Sequence, residues 1–292
     1  MVIYGTKIIS DRAWRHRFPE RGDHAQSFTL LEGTPEWAAQ LTRREHLQYT
    51  HGHETYLLMQ PDDPQWQPSA FWAYEIEELG GFFVERESRK VYARWEGGEM
   101  QMEFWLSHLL LPLWLALETG ALLLHAGAVE IEGKAVVFCA PSHGGKSTLT
   151  DDLVARGHRL ITDDTLALFP RDGGFVTTGS VPYCRPYREF ETLGEYTPEY
   201  RNGWIEVSQL YLLERDDGVE GASFVPVVGI EKFSALHEGT LLYNFPHLRA
   251  RHLRDLAAFL DGIRVTRLRR PWGREHFPRL HGEILSHMRG RG

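Results

Sequence analysis

The chain is poor in cysteine, with two in 292 residues, Cys139 and Cys184. Two thiols cannot build a disulfide framework, and no C-x-x-C pair is present. Both are expected to be buried thiols of a reducing compartment. Positive charge is also short: the formal net charge is −8, which argues against a nucleic-acid polymer as partner. Long apolar runs are missing. The most apolar stretch, FWLSHLLLPLWLALETGALLLHAGA at 104–128, is interrupted by His108, Pro112 and Glu118. No run reaches the ~18 apolar residues of a spanning helix, so a buried helix followed by a strand is expected, and no membrane partner. The opening MVIYGTKIISDRAWRHRF lacks the apolar core of a signal peptide, which makes a cytoplasmic location the default.

What is present suits a folded protein with a sizeable core: 42% of residues are hydrophobic, and nine are Trp. Residues 1–100 read as β-rich, with VIYGTKII, TYLLMQ, FFVERE and KVYARW set between Gly, Pro and Asp clusters and Gly80-Gly81 and Gly97-Gly98 as turns. Near residue 100 the texture changes. Residues 101–292 alternate strand and helix patterns, which predicts an α/β domain. Residues 247–292 carry eleven Arg against Asp255, Asp261, Glu275 and Glu283. Such a segment either faces an anionic ligand or acidic partner, or is an amphipathic helix with a solvated Arg face. Within it HLRARHLRDLAAFLDG predicts a helix stopped by Gly262, and IRVTRLR a strand.

The chemistry gathers at A-P-S-H-G-G-K-S-T, residues 140–148. The pattern is a phosphate-binding loop, G-x-x-x-x-G-K-[ST], with Ala140 in place of the first glycine. AVVFCA before it reads as a buried strand, and STLTDDLVARG after it as a helix closed by Gly157. In that context the backbone N–H groups of Ser142, His143, Gly144, Gly145, Lys146, Ser147 and Thr148 are candidates to cradle phosphate. Lys146 would reach the terminal phosphates, and Ser147 would help hold Mg²⁺. ATP and Mg²⁺ are the implied cofactors.

A second strand, HRLIT, ends at Asp163 and Asp164. One carboxylate there can hold metal and the other accept a proton, and adjacent strand residues point to opposite faces, so their roles differ. His125 precedes the loop strand in LLLHAGA. In GSVPYCRPYR, Arg185 and Arg188 are candidates to neutralise charge on a transferred group, or else parts of a rigid surface loop. His51 and His53 in H-G-H-E lack a third ligand at metal-binding spacing.

Taken together, HAGAVEIEGKAVVFCAPSHGGKSTLTDDLVARGHRLITDD, residues 125–164, resembles the core of the HPr serine kinase/phosphorylase family. The resemblance implies a P-loop kinase domain related to phosphoenolpyruvate carboxykinase, preceded here by the β-rich region, which would recognise substrate or mediate oligomerisation. It implies a serine kinase using ATP and Mg²⁺, with Lys146 and Ser147 on phosphate and metal, Asp163 as general base, Asp164 assisting with metal and His125 in the active site. The family's oligomers make a homo-oligomer an expectation. The chain departs from the family at Gly127, where serine is usual, and at Ala140. It also lacks the C-terminal signature used with the phosphocarrier HPr. It looks more like the divergent HPr-kinase-like proteins found with peptide-tailoring enzymes, some of which phosphorylate a lasso-peptide precursor on a terminal serine. A peptide or small protein bearing serine is therefore the expected substrate. The alternatives are a free amino acid or metabolite, HPr itself, or a module that binds ATP without turnover.

Overall fold

The structure is a computed structural model. It describes every residue except 51–52, 60–69, 142, 186–190, 238, 240–245 and 291–292; side chains are described for the same residues less 44–50, 237 and 246–248.

Among the described residues, 2–95 form an eight-stranded sheet. Its spatial order is Val2–Ile3, Thr6–Ile9, Gln26–Glu32, Lys90–Trp95, Gly80–Glu85, Phe71–Ile76, His53–Met59 and Thr42–Thr50. Alternation sets its core face: in KVYARW, Val91 and Ala93 are buried while Lys90 and Arg94 are exposed. Gly80 and Gly81 open a strand rather than form a turn, because a Cβ on Gly80 would run into the Arg94 carbonyl of the neighbouring strand.

A helical run over residues 99–119 follows, with two π-helical segments at Leu106–Leu110 and Leu115–Thr119. It is apolar on nearly every side and accordingly buried. Phe104, Trp105, Leu110 and Trp114 join the first sheet's core, as do Leu123, Ala167 and Tyr183 from the chain beyond. Gly120, at φ 67°, ends the run.

The second sheet has nine strands among the described residues and is mixed. Arg159–Thr162, Gly127–Ile131, Lys134–Cys139, Ile205–Arg215 and Arg264–Arg270 lie side by side. Gly127–Ile131 is antiparallel to both its neighbours, and Ile205–Arg215 is parallel to both Lys134–Cys139 and Arg264–Arg270. Four strands therefore run the same way, and their C-terminal ends share one edge. Helices cover both faces, so the central strand has no polar alternation. Val136 and Phe138 pack toward the helices Lys146–Ala155 and Phe277–Arg289, and Val137 and Cys139 toward Pro246–Gly262. Burying a side chain such as Phe138 contributes about 1.5–3 kcal/mol. Among the described residues, no helix is long and apolar enough to cross a membrane.

Candidate active site

The loop grows out of a tight hairpin. Glu132 and Gly133 both have positive φ, 50° and 76°, the pairing that suits the twist of two antiparallel strands. The chain returns through Lys134–Cys139 and turns at 140–145 into the helix Lys146–Ala155. Ala140 keeps a negative φ, so its methyl group causes no backbone strain. Gly144 donates its N–H to the Pro141 carbonyl at 3.0 Å. A Cβ there would stand 2.6 Å from the Ala140 methyl, so the turn closes only around glycine. Gly145 caps the helix at φ 81°. His143 is exposed at φ 61°, Ser147 and Thr148 are half-buried on the first turn, and Ser142 lies outside the described residues. Lys146 is buried, with Nζ donating to the carbonyls of Ala140 (2.8 Å) and Pro141 (3.3 Å).

The strand Arg159–Thr162 delivers the aspartates to the same edge. Asp163 is 6% exposed. Its Oδ2 accepts the Arg185 backbone N–H at 2.7 Å, while Oδ1 has no hydrogen-bond partner among the described residues. Burial pushes its carboxyl up to about 7, against the opposing pull of the Arg185 N–H and the nearby Ser147 hydroxyl. That hydroxyl lies close enough to favour the ionised form without closing a bond to Oδ1. Asp164 turns the other way. It faces His125 Nδ1 at 3.4 Å and the Arg185 guanidinium at 3.3 Å, and its carbonyl lies 3.1 Å from the same His125 nitrogen. Arg185 is itself 6% exposed and stands over the Phe104 ring, so it is a buried part of this cluster rather than a surface-loop residue. Arg188 lies outside the described residues.

The structure thus brings together Gly144, Gly145, Lys146, Ser147, Asp163, Asp164, His125 and Arg185. A cavity of about 820 Å³ adjoins them, lined by His125, Ala140, Pro141, Leu212, Glu214 and Arg267 among others. Another, of about 660 Å³, is lined by Phe175, Trp204 and Phe259 and holds none of the site residues. His53 faces Glu191 at 3.3 Å beside Trp105, and no group of three metal-ligating side chains occurs among the described residues. His51 lies outside them. Both thiols are buried, and burial pushes Cys139 up to about 12.

Gly127 has a local cause. Its Cβ would collide with the Thr150 hydroxyl, which reaches back to the Lys146 carbonyl at 2.9 Å. Gly127→Ser should therefore destabilise the protein by about 1–3 kcal/mol through overpacking. Adding Thr150→Ala should recover most of that loss, as read by urea unfolding of both variants.

Several C-terminal arginines are spoken for. Arg267 pairs with Glu214 and Glu231, Arg269 with Glu214, Arg274 with Asp151, Arg279 with Glu283 and Arg289 with Glu132. Arg270 differs. It is 3% exposed, its Nε has no hydrogen-bond partner among the described residues, and its Nη2 lies 3.5 Å from the Gly144 carbonyl. Burial lowers its pKa. Sequence reasoning counted it within the basic segment and missed its position at the loop. The one available signal was an arginine ending a predicted strand just before Pro271, Trp272 and Gly273.

No family model matches the chain. It is 37% identical over 71 residues to an HPr kinase/phosphorylase of Lactobacillus acidophilus, covering 24% of this chain and 22% of the relative. It is also 37% identical over 89 residues to an HPr kinase/phosphorylase of Clostridium botulinum, covering 30% of this chain and 26% of the relative. The matches thus span about a quarter of the length of these curated relatives. Among solved structures, the Hpr(Ser) kinase/phosphatase from Coxiella burnetii aligns with 58% of this chain and 99% of its own, at 14% sequence identity and a TM-score of 0.36. Over those 71 and 89 residues, this chain is similar to HPr kinase/phosphorylases.

Proposed function

We propose that this chain is a kinase that transfers the γ-phosphate of ATP to a serine hydroxyl of a peptide or small protein. The observation that carries the reading is Asp163, a carboxylate almost sealed from water whose Oδ1 has no hydrogen-bond partner among the described residues, beside Ser147 on the first turn of the loop helix. An isolated buried acid is costly, and such groups gather where chemistry uses them.

Ser147 Oγ would be a hard donor to the Mg²⁺ of a bound triphosphate. Asp164, expected to assist with the metal, instead faces His125 and Arg185, and the carboxylate beside Ser147 is Asp163. When bound, Mg²⁺ would supply positive charge that screens the terminal phosphates. The loop amides and Lys146 hold the triphosphate, and Lys146 exchanges its two loop carbonyls for phosphate oxygens. Asp163 accepts the serine proton as the hydroxyl oxygen bonds to the γ-phosphorus. The bond to the β–γ bridging oxygen breaks, and ADP leaves with that electron pair. Arg185, held by both aspartates, neutralises charge on the group in flight. His125 fixes Asp164 from the far side.

A base poised near pH 7 sets the pH profile. Below that value Asp163 is protonated and cannot accept the serine proton, so kcat/KM should rise with pH through about 7 and then level. A profile flat between pH 6 and 8 removes Asp163 from the base role. The substrate class is tested by incubating the protein with labelled ATP and serine-bearing peptides, HPr or free serine. Label on the peptides supports the proposal. Label confined to HPr or to free serine replaces the peptide substrate with that acceptor. Nucleotide binding with no transfer to any of them makes the chain an ATP-binding module.

A further inference from the structure

The four aligned strand ends give the site a direction. Asp163 and Ser147 lie toward the end of Arg159–Thr162, so the reacting phosphate points that way. The rest of a nucleotide then extends from the loop toward the opposite side, over the ends of Ile205–Arg215 and Arg264–Arg270. Those two ends are in register, Arg215 beside Arg270. Immediately beyond them stands Trp272, which is 41% exposed, an unusual state for the largest apolar side chain. It adjoins the loop itself: a Cβ on Gly145 would lie 3.2 Å from the indole ring and 2.5 Å from Arg270 Nη2. Two guanidinium groups approach the indole, those of Arg270 and Arg215, each 5.4 Å from the ring centroid. Arg270 is buried without an ionic partner among the described residues, and Arg215 is exposed and braced by Asp217.

We propose that Trp272 is the stacking platform for the nucleobase of the bound triphosphate, with Arg270 locking the indole against the loop and Arg215 meeting the base from the solvent side. This rests on the phosphate-loop reading above and adds to it the recognition of the base. A ring face beside a cation suits any base, because every base offers a π-face. Gly145 is required on this side as well: a side chain there would separate the platform from the phosphate cradle.

The test separates base from phosphate. Binding of ATP and of inorganic tripolyphosphate, both with Mg²⁺, is measured by calorimetry for the full chain and for Trp272→Ala and Trp272→Phe. The expected result is a loss of ATP affinity on the order of 10-fold in Trp272→Ala. Trp272→Phe should recover most of it, with tripolyphosphate affinity equal in all three proteins. Unchanged ATP affinity in Trp272→Ala overturns the platform while leaving the phosphate loop standing. Equal losses for ATP and tripolyphosphate also overturn it, since Trp272 would then act on the loop and not on the base. Absence of binding by either ligand to the unaltered protein overturns both the platform and the phosphate-loop reading.

Discussion

Asp163→Asn should lower phosphoryl transfer by about 10²–10⁴-fold while leaving ATP binding intact. The amide keeps the shape of the carboxylate and can still accept the Arg185 backbone N–H through its oxygen. What it loses is the capacity to take a proton. The same substitution carries a second signature, in stability. Burial raises the folded-state pKa of Asp163 to about 7, well above the ~3.9 of an unfolded chain. The fold therefore favours the neutral acid. That preference is fully expressed below about pH 4 and is lost as pH rises through about 7, so ionising Asp163 costs stability at neutral pH. Asn carries no such cost. The variant should melt at a higher temperature than the unaltered protein at pH 8, with the gap narrowing toward pH 5. Loss of activity together with a rise in Tm is the mark of a functional residue held against stability. Full activity in this variant would remove Asp163 from the chemistry.

Lys146→Ala should lower kcat/KM by on the order of 10²–10³-fold. The ammonium group is buried at the loop and reaches two of its carbonyls, so it is already gathered where the terminal phosphates would sit. Its removal also takes a donor from the Ala140 carbonyl, while the Pro141 carbonyl keeps the Gly144 N–H, and a drop in thermal stability should accompany the drop in rate. Single-turnover kinetics at saturating ATP distinguish the two contributions. A rate restored by high ATP would limit Lys146 to binding, and a turnover unchanged at any ATP concentration would reject the phosphate-loop assignment.

Local features of the site were legible in the sequence because local chemistry encodes them. The apolar run ending at Cys139, the two glycines and Lys146 place strand, turn and helix, and HRLIT places the aspartates sixteen residues or so beyond. Pairing is less local. The alternation of strand and helix patterns suggests an ordinary α/β layer, yet Gly127–Ile131 enters antiparallel, and this lets Arg159–Thr162 run alongside the loop strand's direction. The role of Gly127 is set by Thr150, a contact between strand and helix that no spacing rule signals. Arg270 was hidden in plain count. Its position depends on the parallel register between Ile205–Arg215 and Arg264–Arg270, two strands about fifty residues apart in sequence. A tally of eleven arginines cannot tell the one buried against the loop from those that pair with acids at the surface.

The helical run at 99–119 belongs to both halves of the chain. Phe104 lies in the first sheet's core and at the same time forms the seat beneath the Arg185 guanidinium, while Trp105 donates to Glu191 a few residues further along that loop. The first sheet, packed against that helical run, thus stands behind the aromatic seat of the arginine that joins the two aspartates. Grafting a foreign N-terminal sheet onto this chain would succeed only if the newcomer offered an aromatic footing of the same height.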